Sequence, residues 1–312
     1  MKVLLVRTDS QLGDTIFETC FYRELKRHFP QSYVTVMACG NRRVLENLPY
    51  IDEFIWLPAK GIGRILQAFG KLPHLWRQRY DVLVSLSPTW KMRFFNKLLP
   101  AKRKFPFEYR FGVPAVTAYT GILEQLGARG VDGSYTICIP PEAEKETDGF
   151  LAEKFLVNAS YLLVNPIASC ASYTLPEERV VQLVAQLRRA GVTVPLVLLD
   201  YKQLYTQVTG KNIFRFTSTD VLAVAAAVKK SAYVLTVDTA ISHMAATFEK
   251  PMTVLFTDQP KPALPRVNNL EHLISFAPHT KDTHVLWAKK EVAAIPLEDI
   301  VRSVKVGWQE GK

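Results

Sequence analysis

Two short stretches hold side chains whose types and spacing suit chemistry on an anion and on a hydroxyl group. Asp238 and Thr239 fall where a β-rich run, Tyr233 to Val237, gives way to a helical run, Ala240 to Phe248, that Lys250-Pro251 stops. Either residue can cap that helix, whose free amides and positive dipole end face a bound anion. His243 lies about one turn further on, so its ring can lean towards the same crevice. Near the start of the chain, Asp14 closes the polar turn Thr8-Asp-Ser-Gln-Leu-Gly-Asp14 and opens a helical run. The helix dipole stabilises a carboxylate there, and a substrate hydroxyl within reach makes it a candidate general base. The plainer alternatives are a capped helix with a buried histidine at 238–243 and an ordinary first-turn acid at 14.

The elements around these residues alternate. Lys2 to Arg7 is a buried strand, and Thr15 to His28 has helical spacing through Ile16, Cys20, Phe21 and Leu25. Strands follow at Tyr33 to Ala38, Phe54 to Leu57, Asp81 to Leu86, Arg103 to Phe107 and Tyr135 to Ile139, with helical runs between. Pro140-Pro141 and the acidic residues after it read as a linker. The second half repeats the scheme: strands at Tyr161 to Asn165, Val194 to Leu199 and Ile213 to Phe216, the stretch around Asp238, and a strand at Met252 to Phe256. Helical spacing resumes from Asp282 and ends in a final helix, Pro296 to Val306. Alternation of this kind predicts an α/β chain with two doubly wound parallel sheets. The domains are expected at 1–140 and 141–312, with the final helix able to pack back on the first. The first strand–loop–helix unit has one glycine, Gly13, so the dinucleotide fingerprint is absent, which argues against an NAD enzyme.

Charge narrows the partners. Residues 1–140 carry 20 Lys and Arg against 11 Asp and Glu, whereas residues 141–312 carry 19 against 18. An anionic partner is therefore expected on the first half: a phosphorylated molecule, an acidic membrane face or nucleic acid. Lys60-Gly-Ile-Gly-Arg64 reads as a basic lid over an anionic acceptor, or as a plain βα turn. Lys91, Arg93 and the cations up to Lys104 alternate with Trp90, Phe94 and Phe95, a pattern that suits nucleic acid or a membrane interface. No nucleic-acid recognition motif accompanies it, so no nucleic-acid partner is expected. Cys20, Cys39, Cys138 and Cys170 are scattered without metal-ligand spacing and read as reduced cysteines. Met1 to Val6 is too short and too soon interrupted by Arg7 for a signal peptide, and no apolar run is long enough to span a bilayer. A cytoplasmic protein is expected.

Ser10-Gln-Leu-Gly-Asp14, the loop Pro166-Ile-Ala-Ser-Cys-Ala-Ser-Tyr-Thr174 before Pro176, and Val237-Asp-Thr-Ala-Ile-Ser-His-Met-Ala-Ala246 together resemble glycosyltransferase family 9. These are the ADP-heptose:lipopolysaccharide heptosyltransferases of bacterial inner-core assembly. The resemblance implies a GT-B fold, two Rossmann-like domains facing an interdomain crevice, with the acceptor on the N-terminal domain and the donor on the C-terminal one. It implies an inverting, metal-independent transfer of heptose from ADP-heptose to a phosphorylated or Kdo-bearing acceptor, with no cofactor. Asp14 matches the family's proposed base; Asp238, Thr239, Ala240 and His243 match its donor-binding turn, and Ser169 a donor-phosphate contact. Lys60, Arg64, Lys91 and Arg93 are candidate acceptor contacts. The implied location is the cytoplasmic, acidic face of the inner membrane of a Gram-negative bacterium. Where the family has Lys-x-Trp-Pro the chain reads Tyr173-Thr-Leu-Pro176, and Ala240 stands where glycine is usual. Two other readings therefore stay open: a different nucleotide-sugar donor, or a non-catalytic binder of anionic glycans.

Overall fold

The computed structural model describes residues 1–7, 11–58, 62–86, 94, 96–106, 112–257, 271, 280 and 282–310. The chain divides into two compact units, the first spanning Met1–Cys138 and the second beginning at Ile139.

The first unit contains β1 (Lys2–Arg7), α1 (Leu12–His28), β2 (Tyr33–Cys39), α2 (Arg42–Glu46), β3 (Glu53–Leu57), α3 (Ile62–Gln78), β4 (Tyr80–Ser85), β5 (Ala101–Phe105) and α4 (Val116–Gln125). Its strands form a parallel sheet in the order β3-β2-β1-β4-β5. β1 is central because Val3, Leu4, Leu5 and Val6 are buried, as a strand covered on both faces requires. β1 pairs with β2 on one side and β4 on the other. The chain order reverses between β1 and β4, which makes their carboxyl ends the switch point where ligands of such sheets sit. Residues 135–139 form no strand. Tyr135 packs edge-on against Phe17 of α1 (5.3 Å), and Thr136 N donates to Thr19 Oγ1 (2.8 Å). A side chain of α1 thus takes the backbone donor that a sheet edge would otherwise use.

The second unit opens with a helix where a linker was expected: α5 (Pro141–Glu153). Pro141 occupies the first helical position, where its missing N–H costs nothing, and Glu142 and Glu144 lie in the first turn, where the dipole favours acids. The same prolines and acids that signal a break in sequence here start a helix. There follow β6 (Leu162–Asn165), α6 (Glu177–Arg189), β7 (Leu196–Leu199), β8 (Ile213–Phe216), α7 (Val221–Lys230), β9 (Tyr233–Val237), α8 (Ala240–Thr247), β10 (Met252–Thr257), β11 (Thr283–Ala288) and α9 (Leu297–Glu310). Their parallel sheet runs β11-β10-β9-β6-β7-β8. β11 corrects the helical reading from Asp282: the ladder from Met252↔Thr283 to Thr257↔Ala288 makes this segment the sheet's edge. The final helix, α9, has Leu297, Ile300 and Val304 in the core of this second unit, beside Tyr233, Leu235 and Leu255. Here the order reverses between β6 and β9, so this sheet too has a switch point.

Candidate functional site

Asp14 lies in the first turn of α1, just beyond the carboxyl end of β1. β1 ends in Arg7, whose side chain is 1% exposed. Its guanidinium is shared: one nitrogen pairs with Glu18, and Nη2 lies 3.5 Å from Asp14 Oδ2. Nη2 also lies 3.4 Å from Gln11 O, at the mouth of the helix. Tyr22 Oη donates to the other Glu18 oxygen (3.0 Å). Burial, and then the neighbouring Glu18 carboxylate, hold the Tyr22 phenol well above its ordinary pKa, so it stays a donor. Asp14, Glu18 and Tyr22 recur every four residues and thus share one helix face. Arg7 and Glu18 are sealed, whereas the Asp14 side chain keeps 21% exposure. The arrangement fixes one carboxylate by a buried cation and leaves it open to a reacting hydroxyl. Because Glu18 balances Arg7, Asp14 can accept a proton without stranding an uncompensated cation beneath it. Just beyond the next strand, Asn41 Nδ2 donates to Thr15 Oγ1 (2.7 Å) and ties the segment after β2 to the same helix turn.

The second cluster grows from the switch point of the other sheet. Asn165, the last residue of β6, pairs in register with Thr236 of β9. Its amide donates to Thr236 Oγ1 (2.9 Å) and Thr239 Oγ1 (3.0 Å). Thr239, of the two possible caps, is the one used: its hydroxyl accepts from Ile241 N (3.3 Å). Ser242 Oγ returns a bond to Thr239 O (2.7 Å). Asp238 precedes the cap, with its amide continuing the sheet to Leu255 O (3.0 Å). Asp238 and His243 are both buried, and Ala240, the first residue of α8, is half-buried. The start of α8 is thus pinned to two neighbouring strands, with its first amides at the sheet's carboxyl edge.

The loop after β6 leaves from the same place. Thr174 folds it back, accepting from Ala168 N (3.0 Å) and donating to Cys170 O (3.0 Å). Ser169 is left exposed at its tip. Tyr173, at the lysine position of the motif named above, is buried in the core with Leu175. Asp200, just after β7, is fully buried. It accepts from Leu204 N (2.8 Å) and Tyr205 N (3.2 Å), with Arg215 Nη1 at 3.6 Å. It is the anchor of its own loop.

The structure therefore gathers Ser169, Asp238, Thr239, Ala240 and His243 at one switch point in the second unit, and sets Asp14 at the other sheet's switch point in the first. Arg64 lies in the first turn of α3, with its side chain outside the described residues, as are Lys60, Lys91 and Arg93. Arg7, Glu18 and Asn165 had no place in the sequence reading. The four-residue spacing of Asp14, Glu18 and Tyr22 was the available signal for the first two, and a polar residue closing the apolar run Leu162–Asn165 for the third. Replacing Thr239 by alanine removes the cap and one partner of Asn165. A loss of about 1–2 kcal/mol is expected from denaturant unfolding of that variant, with most of it restored by serine.

Comparisons with known proteins agree with this architecture. A sequence model of glycosyltransferase family 9 (heptosyltransferase) matches residues 89–289. The chain is 22% identical over 323 residues to a putative lipopolysaccharide heptosyltransferase 4 of Escherichia coli (strain K12), covering 97% of this chain and 86% of that one. Its fold matches a glycosyl transferase family 9 structure from Veillonella parvula at a TM-score of 0.81 and 19% identity, over 99% of this chain and 98% of that one. It also matches the E. coli heptosyltransferase WaaC solved with ADP, at a TM-score of 0.71 and 14% identity, over 98% and 100%. With nearly two thirds of its length inside that sequence model, the chain belongs to glycosyltransferase family 9 and is a glycosyltransferase of the GT-B fold.

Proposed function

We propose that the protein transfers heptose from ADP-heptose to a phosphorylated or Kdo-bearing inner-core acceptor of lipopolysaccharide, with inversion and without a metal ion. The observation that carries the donor side is the Asn165–Thr236–Thr239 lattice, which fixes the start of α8 at the switch point of the second sheet. A diphosphate placed there meets the helix amides and the positive dipole end, with Ser169 on the facing loop. Relatives of the chain carry heptosyltransferase names, and one was solved with ADP. On the acceptor side, Asp14 takes the proton from the attacking hydroxyl as its oxygen bonds to the anomeric carbon. The bond from that carbon to the diphosphate breaks on the opposite face, and ADP leaves with the charge. The basic first half suits an acidic acceptor. Among the described residues no helix is long and apolar enough to cross a membrane. Peripheral contact with the acidic cytoplasmic face of the inner membrane accords with such an acceptor.

A second reading keeps the reaction and changes the donor. With Tyr173 in place of the family's lysine, the loop after β6 carries no cation, so the base and sugar accepted can differ. A thermal-shift screen of ADP, UDP and GDP separates the two readings. Ligand at about 100 times its Kd stabilises the protein by about 2.7 kcal/mol. The largest shift with ADP supports ADP-heptose, and a larger shift with UDP or GDP replaces it. Transfer is further expected to proceed at an unchanged rate in EDTA; loss of activity that Mg2+ or Mn2+ restores would refute the metal-independent mechanism.

A further inference from the structure

The first unit carries an amphipathic surface that the proposed chemistry does not use. α3 turns Ala68, Leu72 and Leu75 towards the core beneath it. Yet Leu66, Phe69 and Trp76 are 66%, 44% and 49% exposed, and Pro73 is exposed between them. The spacing 66, 69, 73, 76 places all four on one stripe of the helix. Trp76 Nε1 donates to Leu98 O (2.9 Å), which joins the stripe to the turn bearing Phe94. Phe94 is itself 54% exposed. An exposed patch of this make-up marks a surface that meets a protein, a membrane or a ligand.

Charge selects among them. Residues 54–107 hold eleven Lys and Arg and one acidic residue, Asp81, a surplus equal to the whole chain's net charge of +10. Asp81 is paired with Lys102 at 2.7 Å, and Glu53, just before this stretch, with His74 at 2.7 Å. Lys71 and Arg77 lie on α3 itself, both exposed. An aliphatic and aromatic stripe bordered by Arg77, four residues on from Pro73, in a segment rich in cations is the pattern of a surface lying on an anionic bilayer. Tryptophan suits the headgroup level, where one side of its ring is apolar and the other wet. Nucleic acid would use the cations and the aromatic rings but has no use for Leu66 and Pro73.

We propose that the exposed face of α3, with the adjoining turn at Phe94, seats the protein on an anionic lipid bilayer. Leu66, Phe69 and Trp76 enter the interface while Arg77 meets lipid phosphates. The biological purpose of this contact rests on the proposed membrane-borne acceptor; the contact itself can be measured without any sugar substrate.

Co-sedimentation with phosphatidylglycerol–phosphatidylcholine vesicles, compared with pure phosphatidylcholine vesicles, tests it. The full chain is expected to partition at least about tenfold more strongly onto the anionic vesicles, and less so as salt rises. The double variant Leu66→Asp/Phe69→Asp is expected to lose about tenfold or more, and the charge reversal Arg77→Glu about fivefold or more. All these side chains are exposed, so thermal midpoints near that of the native chain certify the fold. Equal binding to both vesicle types overturns the proposal, and so does undiminished binding by Leu66→Asp/Phe69→Asp. Binding to oligonucleotide that depends on Arg77, with no binding to anionic vesicles, would reassign the surface to nucleic acid. Transfer to a soluble, deacylated acceptor reports on the glycosyltransferase reading separately.

Discussion

Replacing Asp14 by asparagine is expected to lower kcat by about 10²–10⁴-fold, the usual contribution of a positioned general base, while leaving nucleotide affinity unchanged. Asparagine has the shape of aspartate and can occupy the same helix turn, but it cannot take a proton from a sugar hydroxyl. Arg7 keeps its main partner, Glu18, and only the 3.5 Å contact to Asp14 is weakened. The helix loses roughly 0.3–1 kcal/mol of charge–dipole stabilisation, too little to unfold the unit. The residues proposed to hold the diphosphate, from Ser169 to His243, belong to the other unit and are untouched. Steady-state kinetics beside nucleotide thermal shifts check both halves of this expectation. An Asp14→Asn variant within a few-fold of native kcat would remove Asp14 from the role of base. Equal loss of nucleotide binding would show instead that the substitution disturbs the fold.

The second large effect concerns stability. Arg7→Met is expected to destabilise the protein by about 3–5 kcal/mol, because it leaves the fully buried Glu18 carboxylate without its cation. Tyr22 still donates to Glu18, but one neutral hydrogen bond does not offset the desolvation of a charge. At roughly 2–4 °C per kcal/mol for a unit of this size, the melting midpoint of the first unit falls by about 6–20 °C. Arg7→Met combined with Glu18→Leu removes both charges and is expected to recover much of that loss, as replaced buried ion pairs often do. Calorimetry of the single and double variants reads the coupling directly. Additive losses would mean that Arg7 and Glu18 are stabilised independently of each other. Loss of Arg7 is also expected to slow transfer, since Asp14 then lacks the cation that orients it.

What the sequence revealed of this site follows from how local each feature is. Strand β9 and the start of α8 were readable because an apolar run ends, a small polar residue caps, and helical spacing begins within a few positions. Even there, the choice of Thr239 over Asp238 as cap depends on Asn165, a residue 74 positions away. Arg7 and Glu18 escaped for a similar reason. Helical spacing in α1 picks out Ile16, Cys20, Phe21 and Leu25, and an acid among them looks like part of a solvated face. Only the crossover from β1 into α1 brings a strand-terminal cation beneath that acid. The helix at Pro141–Glu153 shows one signal with two meanings, since prolines and acids both end elements and begin helices. The strand at Thr283–Ala288 is not legible in the sequence because an edge strand is identified by the neighbour it pairs with, here β10. Tyr173 could be seen as a departure from the family motif, but its burial could not, because that depends on the core formed by β6, α6 and β7.

The central claim, Asp14-dependent inverting transfer of heptose, is tested most directly in one reaction. The native chain is incubated with ADP-heptose and a Kdo-bearing inner-core acceptor, and the anomeric configuration of the product is read by NMR. A heptosylated acceptor with the configuration opposite to that of the donor is expected from the native chain, and none detectably from Asp14→Asn in the same time. No product from the native chain, or a product that retains the donor's configuration, would contradict it.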